Sequence, residues 1–264
     1  MKKYCEVFRL SFKMQIVWRF DVAMTSVATI ARILAAWILW GAVFTSRETV
    51  GSFSFNAMLS YYIISSFLSS LNMSNQISGE VSYIIRNGGF SKHMVTPMNP
   101  QGFFGFMVLG EAAFHLFFSL AAAILCAFLF RINLTLINNP LLIAYAMAIF
   151  SLGLLFMISF EYFLGILAFK FLNVDGFLHI KGNLISFATG MIVPLAILPK
   201  PVVSVMRFLP FYYVTYQPAM ILAGQSIPDP RVDLIVIVIW AIGFLILTQI
   251  IYRHLRIKYD GVGI

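Results

Sequence analysis

Long apolar runs separated by short polar breaks dominate the chain, and the runs have the length of membrane spans. Crossing the hydrocarbon core of a bilayer takes about 20 helical residues. Runs at 22–44, 56–77, 103–130, 140–169, 183–198 and 234–252 predict about six transmembrane helices, the fifth of them short. Ahead of the first run, residues 1–20 predict an amphipathic helix. Lys2, Glu6, Arg9 and Lys13 fall on one side of a helical wheel, and Tyr4, Val7, Phe8, Met14 and Trp18 on the other. Such a helix suits the membrane interface; the other reading is a cytosolic extension of the first span. Its start lacks the short apolar core and small-residue cleavage site of a secretory signal.

The stretch after the fifth run keeps its apolar character but is punctuated by Pro194, Pro199, Pro201, Pro210 and Pro218. Proline removes a backbone donor and interrupts helices. Irregular backbone at membrane depth survives only when it is buried in protein or lines a cavity. The expectation is therefore a pair of short helices re-entering the outer leaflet, within an external segment 199–233. A loop lying on the bilayer is the other reading.

Composition sharpens this picture into a membrane protein. Of 264 residues 61% are hydrophobic and 11% charged, and mean hydropathy is +0.91, against about 25% charged in soluble domains. With the N-terminus inside, Lys2, Lys3, Arg9, Lys13, Arg19, Arg86, Lys92, Lys170, Lys181, Arg253, Arg256 and Lys258 fall on internal segments. Arg47, Arg131, Lys200, Arg207 and Arg231 fall on external ones. This excess places both termini in the cytoplasm of a multi-pass cell-membrane protein. The net charge of +8 resides at the ends of apolar runs, so it orients spans and does not point to nucleic acid.

Covalent chemistry finds little foothold. Cys5 and Cys126 have neither the spacing nor the setting of a disulfide or metal site. The four histidines are scattered, and no metal site is expected. No cluster at nucleophile or ligand spacing supports a membrane enzyme. No G-x-x-x-x-G-K-[ST] loop occurs, so any ATP would be bound by another subunit and no cofactor is expected on this chain.

Polar residues inside the spans are the candidates for function. Arg32 lies eleven residues beyond Asp21, roughly 16 Å into the first span, where a cation costs about 2.5–3.5 kcal/mol unless paired or hydrated. Glu111 has a comparable depth in the third run, and His115 follows one turn later. These three form either a structural pair with a neighbouring histidine or a polar site in a translocation path. Glu161, near the internal end of the fourth run, reads as a gate or interface residue. Ser65-x-x-x-Ser69 and Ser66-x-x-x-Ser70 allow close helix approach, within the chain or toward a second copy.

Two stretches carry a resemblance. Gly190-Met-Ile-Val-Pro194-Leu-Ala-Ile-Leu-Pro199, continuing through Leu209-Pro210-Phe211-Tyr212 and Gln217-Pro218, is similar to a G-x-x-x-P-L-x-x-L-P … P-F … P stretch. The polar segment 78–102 contains Glu80, Val81, Ile84, Ile85 and Arg86, about two helical turns stopped by Gly88-Gly89. Its apolar side could enter a partner's cleft. With the amphipathic helix and the order of spans, these resemble the type-2 ABC exporter permease family. The resemblance implies an all-α polytopic permease domain (21–264), with segment 78–102 docking on an ATP-binding cassette ATPase subunit. It also implies a second permease subunit, identical or paralogous. An apolar, aromatic path would suit an amphiphilic drug, peptide antibiotic, lipid or organic cation. The alternative is a proton-coupled secondary transporter working through Arg32, Glu111 and His115; the missing internal repeat counts against it.

Overall fold

The computed structural model describes residues 2–51, 53–171, 175–225 and 230–259. They form eleven α-helices and, among the described residues, no strand beyond one bridge between Val50 and Phe53. The helices are α1 (Lys2–Val17), α2 (Arg19–Phe44), α3 (Phe55–Leu71), α4 (Asn75–Arg86), α5 (Ser91–Val95) and α6 (Pro100–Leu129). After these come α7 (Pro140–Ile166), α8 (Asp175–Ala188), α9 (Lys200–Met206), α10 (Tyr216–Leu222) and α11 (Pro230–Leu255). Among the described residues, four segments are long and apolar enough to cross a bilayer: α2, α6, α7 with its continuation to Phe169, and α11. The helices α3 and α8, at 17 and 14 residues, are shorter.

Local chemistry explains the helix starts. Asn99 precedes Pro100 and Asn139 precedes Pro140; their side-chain oxygens accept from the Gln101 and Leu141 amides at 2.9 and 3.0 Å. An Asn cap followed by proline satisfies one orphan donor and removes another.

Two expected boundaries are corrected. The run 56–77 is not one helix. Asn72 Oδ1 accepts from the Ser74 hydroxyl at 2.6 Å, a local bond that competes with helical pairing; α3 stops at Leu71 and α4 starts a new axis. The expected loop 171–182 is largely helical, since α8 begins at Asp175 and ends at Ala188 instead of running through 183–198.

The N-terminal helix docks along α6. Tyr4 meets Phe106 with ring centres 5.3 Å apart, and Phe12 meets Phe114 at 5.4 Å. A Cβ at Gly110 would sit 2.4 Å from the Phe8 carbonyl oxygen, so the two helices approach to backbone contact there. Lys2, Glu6, Arg9 and Lys13 face outward, as the helical wheel predicts, but so do Met14 and Trp18.

Packing divides into a large core around α3, α7, α10 and α11, and a second around α4, the start of α6 and the end of α7. A small third cluster joins α2, α3 and α6. Helix α3 is central: twelve of its residues are buried, among them Ser60, Ser65 and Ser66. The outer faces of α6, α7 and α11 expose Phe117, Phe128, Leu141 and Ile239, as lipid contact requires.

Candidate functional site

Helix α4 is the most amphipathic element at its end of the bundle. Ile77, Ser78, Val81, Ser82 and Ile85 are buried, each apolar one contributing about 1.5–3 kcal/mol. Val81 lies so close to α7 that a Cβ on Gly165 would meet it at 2.7 Å. The helix ends where the sequence pattern places the stop: Gly88 has φ +72°, its amide donates to Ile85 O at 3.2 Å, and Gly89 donates to Ile84 O at 2.9 Å. This is the Schellman pattern, in which a glycine takes the left-handed position.

Val81 and Ile85 are fully buried within this chain, where α4 packs on α7; of the apolar residues expected to enter a partner, Ile84 keeps partial exposure. Glu80, Ile84 and Arg86 are half-buried, and Tyr83 is the large exposed side chain, 65% accessible. Burial raises the Glu80 carboxyl above its ordinary range, and Lys92 draws it partly back. Behind α5, Phe90 is enclosed by Phe169, Tyr252 and Tyr259, and its amide donates to the Tyr259 hydroxyl at 3.2 Å. His93 packs beside Phe90, Phe103 and Phe104. Burial, then the charge of Lys92, lowers its pKa. Phe90 thus ties the start of α5 to Tyr252 of α11 and to Tyr259 beyond it.

A buried polar cluster ties α4 to the bundle. Lys181 of α8 donates to Glu161 of α7 and to the Ser78 hydroxyl of α4. The Glu161 side chain is fully buried and that of Lys181 is 8% accessible. Glu161 Oε1 has no hydrogen-bond partner among the described residues, and nor do the Ser82 and Tyr162 hydroxyls nearby in sequence. Sequence reasoning found Glu161 but assigned Lys181 to a loop.

At mid-bundle, Arg32 does not meet Glu111. Its Nη1 approaches Met191 Sδ at 3.8 Å, and the Ser69 hydroxyl approaches the same sulfur at 2.8 Å. Met191 follows the C-terminus of α8, where the helix dipole favours a cation. That terminus is built on Gly190, whose φ is +71° and whose Cβ, if present, would lie 2.8 Å from the Tyr61 hydroxyl. Tyr61 donates to Gly190 O at 2.8 Å and Tyr62 to Ile192 O at 3.0 Å. Two tyrosines of α3 therefore satisfy carbonyls that the broken helix leaves open.

The prolines act as starts of short elements, not as kinks. Pro194 and Pro199 immediately precede a 3-10 turn and α9; Pro210 opens another 3-10 turn, and Pro218 sits in the first turn of α10. A first-turn proline lacks only a donor that has no helical partner. The two short helices differ in environment. Helix α10 is mostly buried against α3 and α7, whereas α9 has no buried residue. Asp233, fully buried on α11, accepts from Arg207 Nε at 2.9 Å, Gln217 Nε2 at 3.0 Å and Tyr213 OH at 3.2 Å. This tether was missed in the sequence, where Asp233 reads as a span boundary. Residues 226–229 of the expected re-entrant segment lie outside the described residues. A cavity of about 410 Å³ is lined by Lys200, Arg207, Tyr212, Tyr216 and Gln217, among others.

Glu111 and His115 line a different cavity, of about 350 Å³, together with Gln15, Trp18, Asp21, Thr25, Met73 and Gln76. It belongs to the junction of α1, α2, α4 and α6, away from Arg32.

A sequence model of the family described as "ABC-2 family transporter protein" matches residues 30–263. The chain belongs to the ABC-2 transporter family. As an ABC-2 membrane protein it is a transport component that works with an ATPase. No curated protein matches the chain. Among the described residues, the ABC-2 helices thus carry three polar assemblies: the Ser78–Lys181–Glu161 cluster, the Asp233 tether and the Glu111 cavity.

Proposed function

We propose that this chain is the permease subunit of an ATP-driven exporter in the cell membrane, with both termini cytoplasmic. Helix α4 is its coupling helix. The family match supports the class, and the observation that carries the finer reading is α4 itself. An amphipathic helix outside the four long spans is held by its apolar face, and by Ser78, to α7 and α8. A push on Tyr83, Glu80 or Ile84 by a moving ATPase would be passed to Val81 and Ile85, and from them to both helices.

The six-span reading draws support from α3 and α8. Lys181 lies at the α4 end, while Ala196 lies beside Gly51 at the far end of α2; helix α8 and the turns after it together cover the distance. Twelve internal against five external basic residues agree with that topology. A second permease, identical or paralogous, would cover part of the exposed apolar faces and complete the path. The cargo would be amphiphilic, and ATP would be bound by the partner. Family membership counts against the proton-coupled alternative.

Purification of the tagged chain from its native membranes tests the reading. It should bring down an ATPase with a P-loop, and the Tyr83→Asp substitution should release the ATPase while the permease stays folded. Recovery of the permease free of any ATPase under mild detergent would refute it.

A further inference from the structure

The junction of α1, α2, α4 and α6 holds a cavity of about 350 Å³, a size suited to a small organic ligand. Its lining includes Trp18, Asp21, Met73, Gln76, Glu111 and His115, and no lysine or arginine. Asp21 alone would mean little, since an acid in the first turn of α2 suits the helix dipole. The other groups are harder to account for as structure. His115 is 93% buried, lines the cavity, and makes no hydrogen bond among the described residues. Glu111 lines the same cavity and has neither an ion-pair nor a hydrogen-bond partner among them. Glu111 is half-buried and Asp21 exposed, and a carboxylate partly withdrawn from water gains from a partner of opposite sign. Here the fold supplies acids, an imidazole that can accept a hydrogen bond, an indole face and a thioether, but no cation. The same junction exposes Val17 and Phe20, 79% and 70% accessible, so apolar surface flanks the polar lining.

We propose that this cavity binds an amphiphilic organic cation, its charge against Glu111 and Asp21 and its apolar body against Trp18 and Met73. An ammonium or phosphonium centre gains from the carboxylates and from the face of Trp18. Half-buried Met73 and the exposed, neutral Gln76 complete the lining without adding a charge. The inference rests on the permease reading and narrows its cargo to cations that reach the protein from the α4 side. Two sources share this chemistry: a free lipophilic cation and the amine headgroup of a membrane lipid.

The test is equilibrium binding of tetraphenylphosphonium to the purified full-length permease in maltoside micelles, without any ATPase. Wild type should bind it saturably, one per chain, and uncharged triphenylphosphine should not compete. Affinity should fall at least tenfold in Glu111→Gln and several-fold in Trp18→Leu. Trp18 is exposed, so Trp18→Leu remains informative if Glu111→Gln does not fold. Displacement by added phosphatidylethanolamine, but not by phosphatidylglycerol, would identify the lipid amine as an occupant; no displacement would identify a site for free cations. Either result supports the site. Absence of saturable binding, equal competition by the neutral probe, or unchanged affinity in Trp18→Leu overturns it. Because no ATPase is present, failure here leaves the exporter reading standing, and failure of the ATPase pull-down leaves the binding result standing.

Discussion

Removing one member of the Glu161–Lys181 pair strands a charge in a site with almost no water, a change that costs about 3–5 kcal/mol in buried pairs. Glu161→Gln and Lys181→Met should each lower the melting temperature of the detergent-solubilised protein markedly. The double variant should recover much of the loss, since both desolvation penalties disappear. Simple addition of the two losses would show that the pair is not coupled. Arg32→Met and Glu111→Gln should behave oppositely and add, because Arg32 lies against Met191 while Glu111 faces its own cavity. Depth along the sequence pairs these two residues. Depth says nothing about direction around a helix, and only the residues after α8, Gly190 to Ile192, which reach α2 and α3, reveal it. Gly190→Ala should be strongly disruptive, combining about 1–2 kcal/mol for a left-handed alanine with a clash against Tyr61; wild-type yield and melting would contradict the fit. Outside the spans, Glu80 gives a pH dependence. Its folded pKa is raised, so its contribution to stability is complete below the ordinary carboxylate range and is lost as pH rises through the shifted value. Glu80→Gln should therefore melt higher than wild type near neutral pH and match it in acid.

At the scale of elements, much was legible. The stop of α4 is written as Gly-Gly, and the start of α7 falls at Pro140, as the apolar run predicts; the Asn-Pro start of α6 and the break at Gly190 lie inside segments that the pattern reads as a loop to 102 and a span over 183–198. What was not legible came from ties between distant segments. A hydropathy run treats 56–77 as one helix, because the Asn72–Ser74 turn interrupts it without changing its apolar character. Lys181 reads as a loop cation until α8 brings it to Glu161, twenty residues back. The amphipathic pattern of α4 was visible, yet Val81 and Ile85 of its apolar side are buried within the chain. This reverses the mutational logic. Val81→Asp should abolish folding, seen as loss of membrane-inserted protein, whereas Tyr83→Asp should leave folding intact and remove only ATPase association. Equal yields of the two variants would contradict the assigned faces.

For the whole molecule, the family places the chain in an assembly, and the fold indicates how force could cross it. One end carries α4, α5 and the end of α11, joined through Phe90 and Tyr259; the other carries the proline-started elements, tethered to α11 through Asp233. Helices α7 and α11 connect the two. In a background with Cys5→Ser and Cys126→Ala, single cysteines at Thr49 and Asn138 should label from outside intact cells and one at Asn87 should not. Labelling of Asn87 from outside would invert the arrangement. The central claim, that α4 receives the stroke of an ATPase, is tested most directly by a cysteine at Tyr83 in that background, cross-linked in native membranes with and without ATP. The account predicts a cross-link to a P-loop ATPase whose yield changes with nucleotide; efficient ATP-driven transport with no cross-link from Tyr83 in any nucleotide state would contradict it.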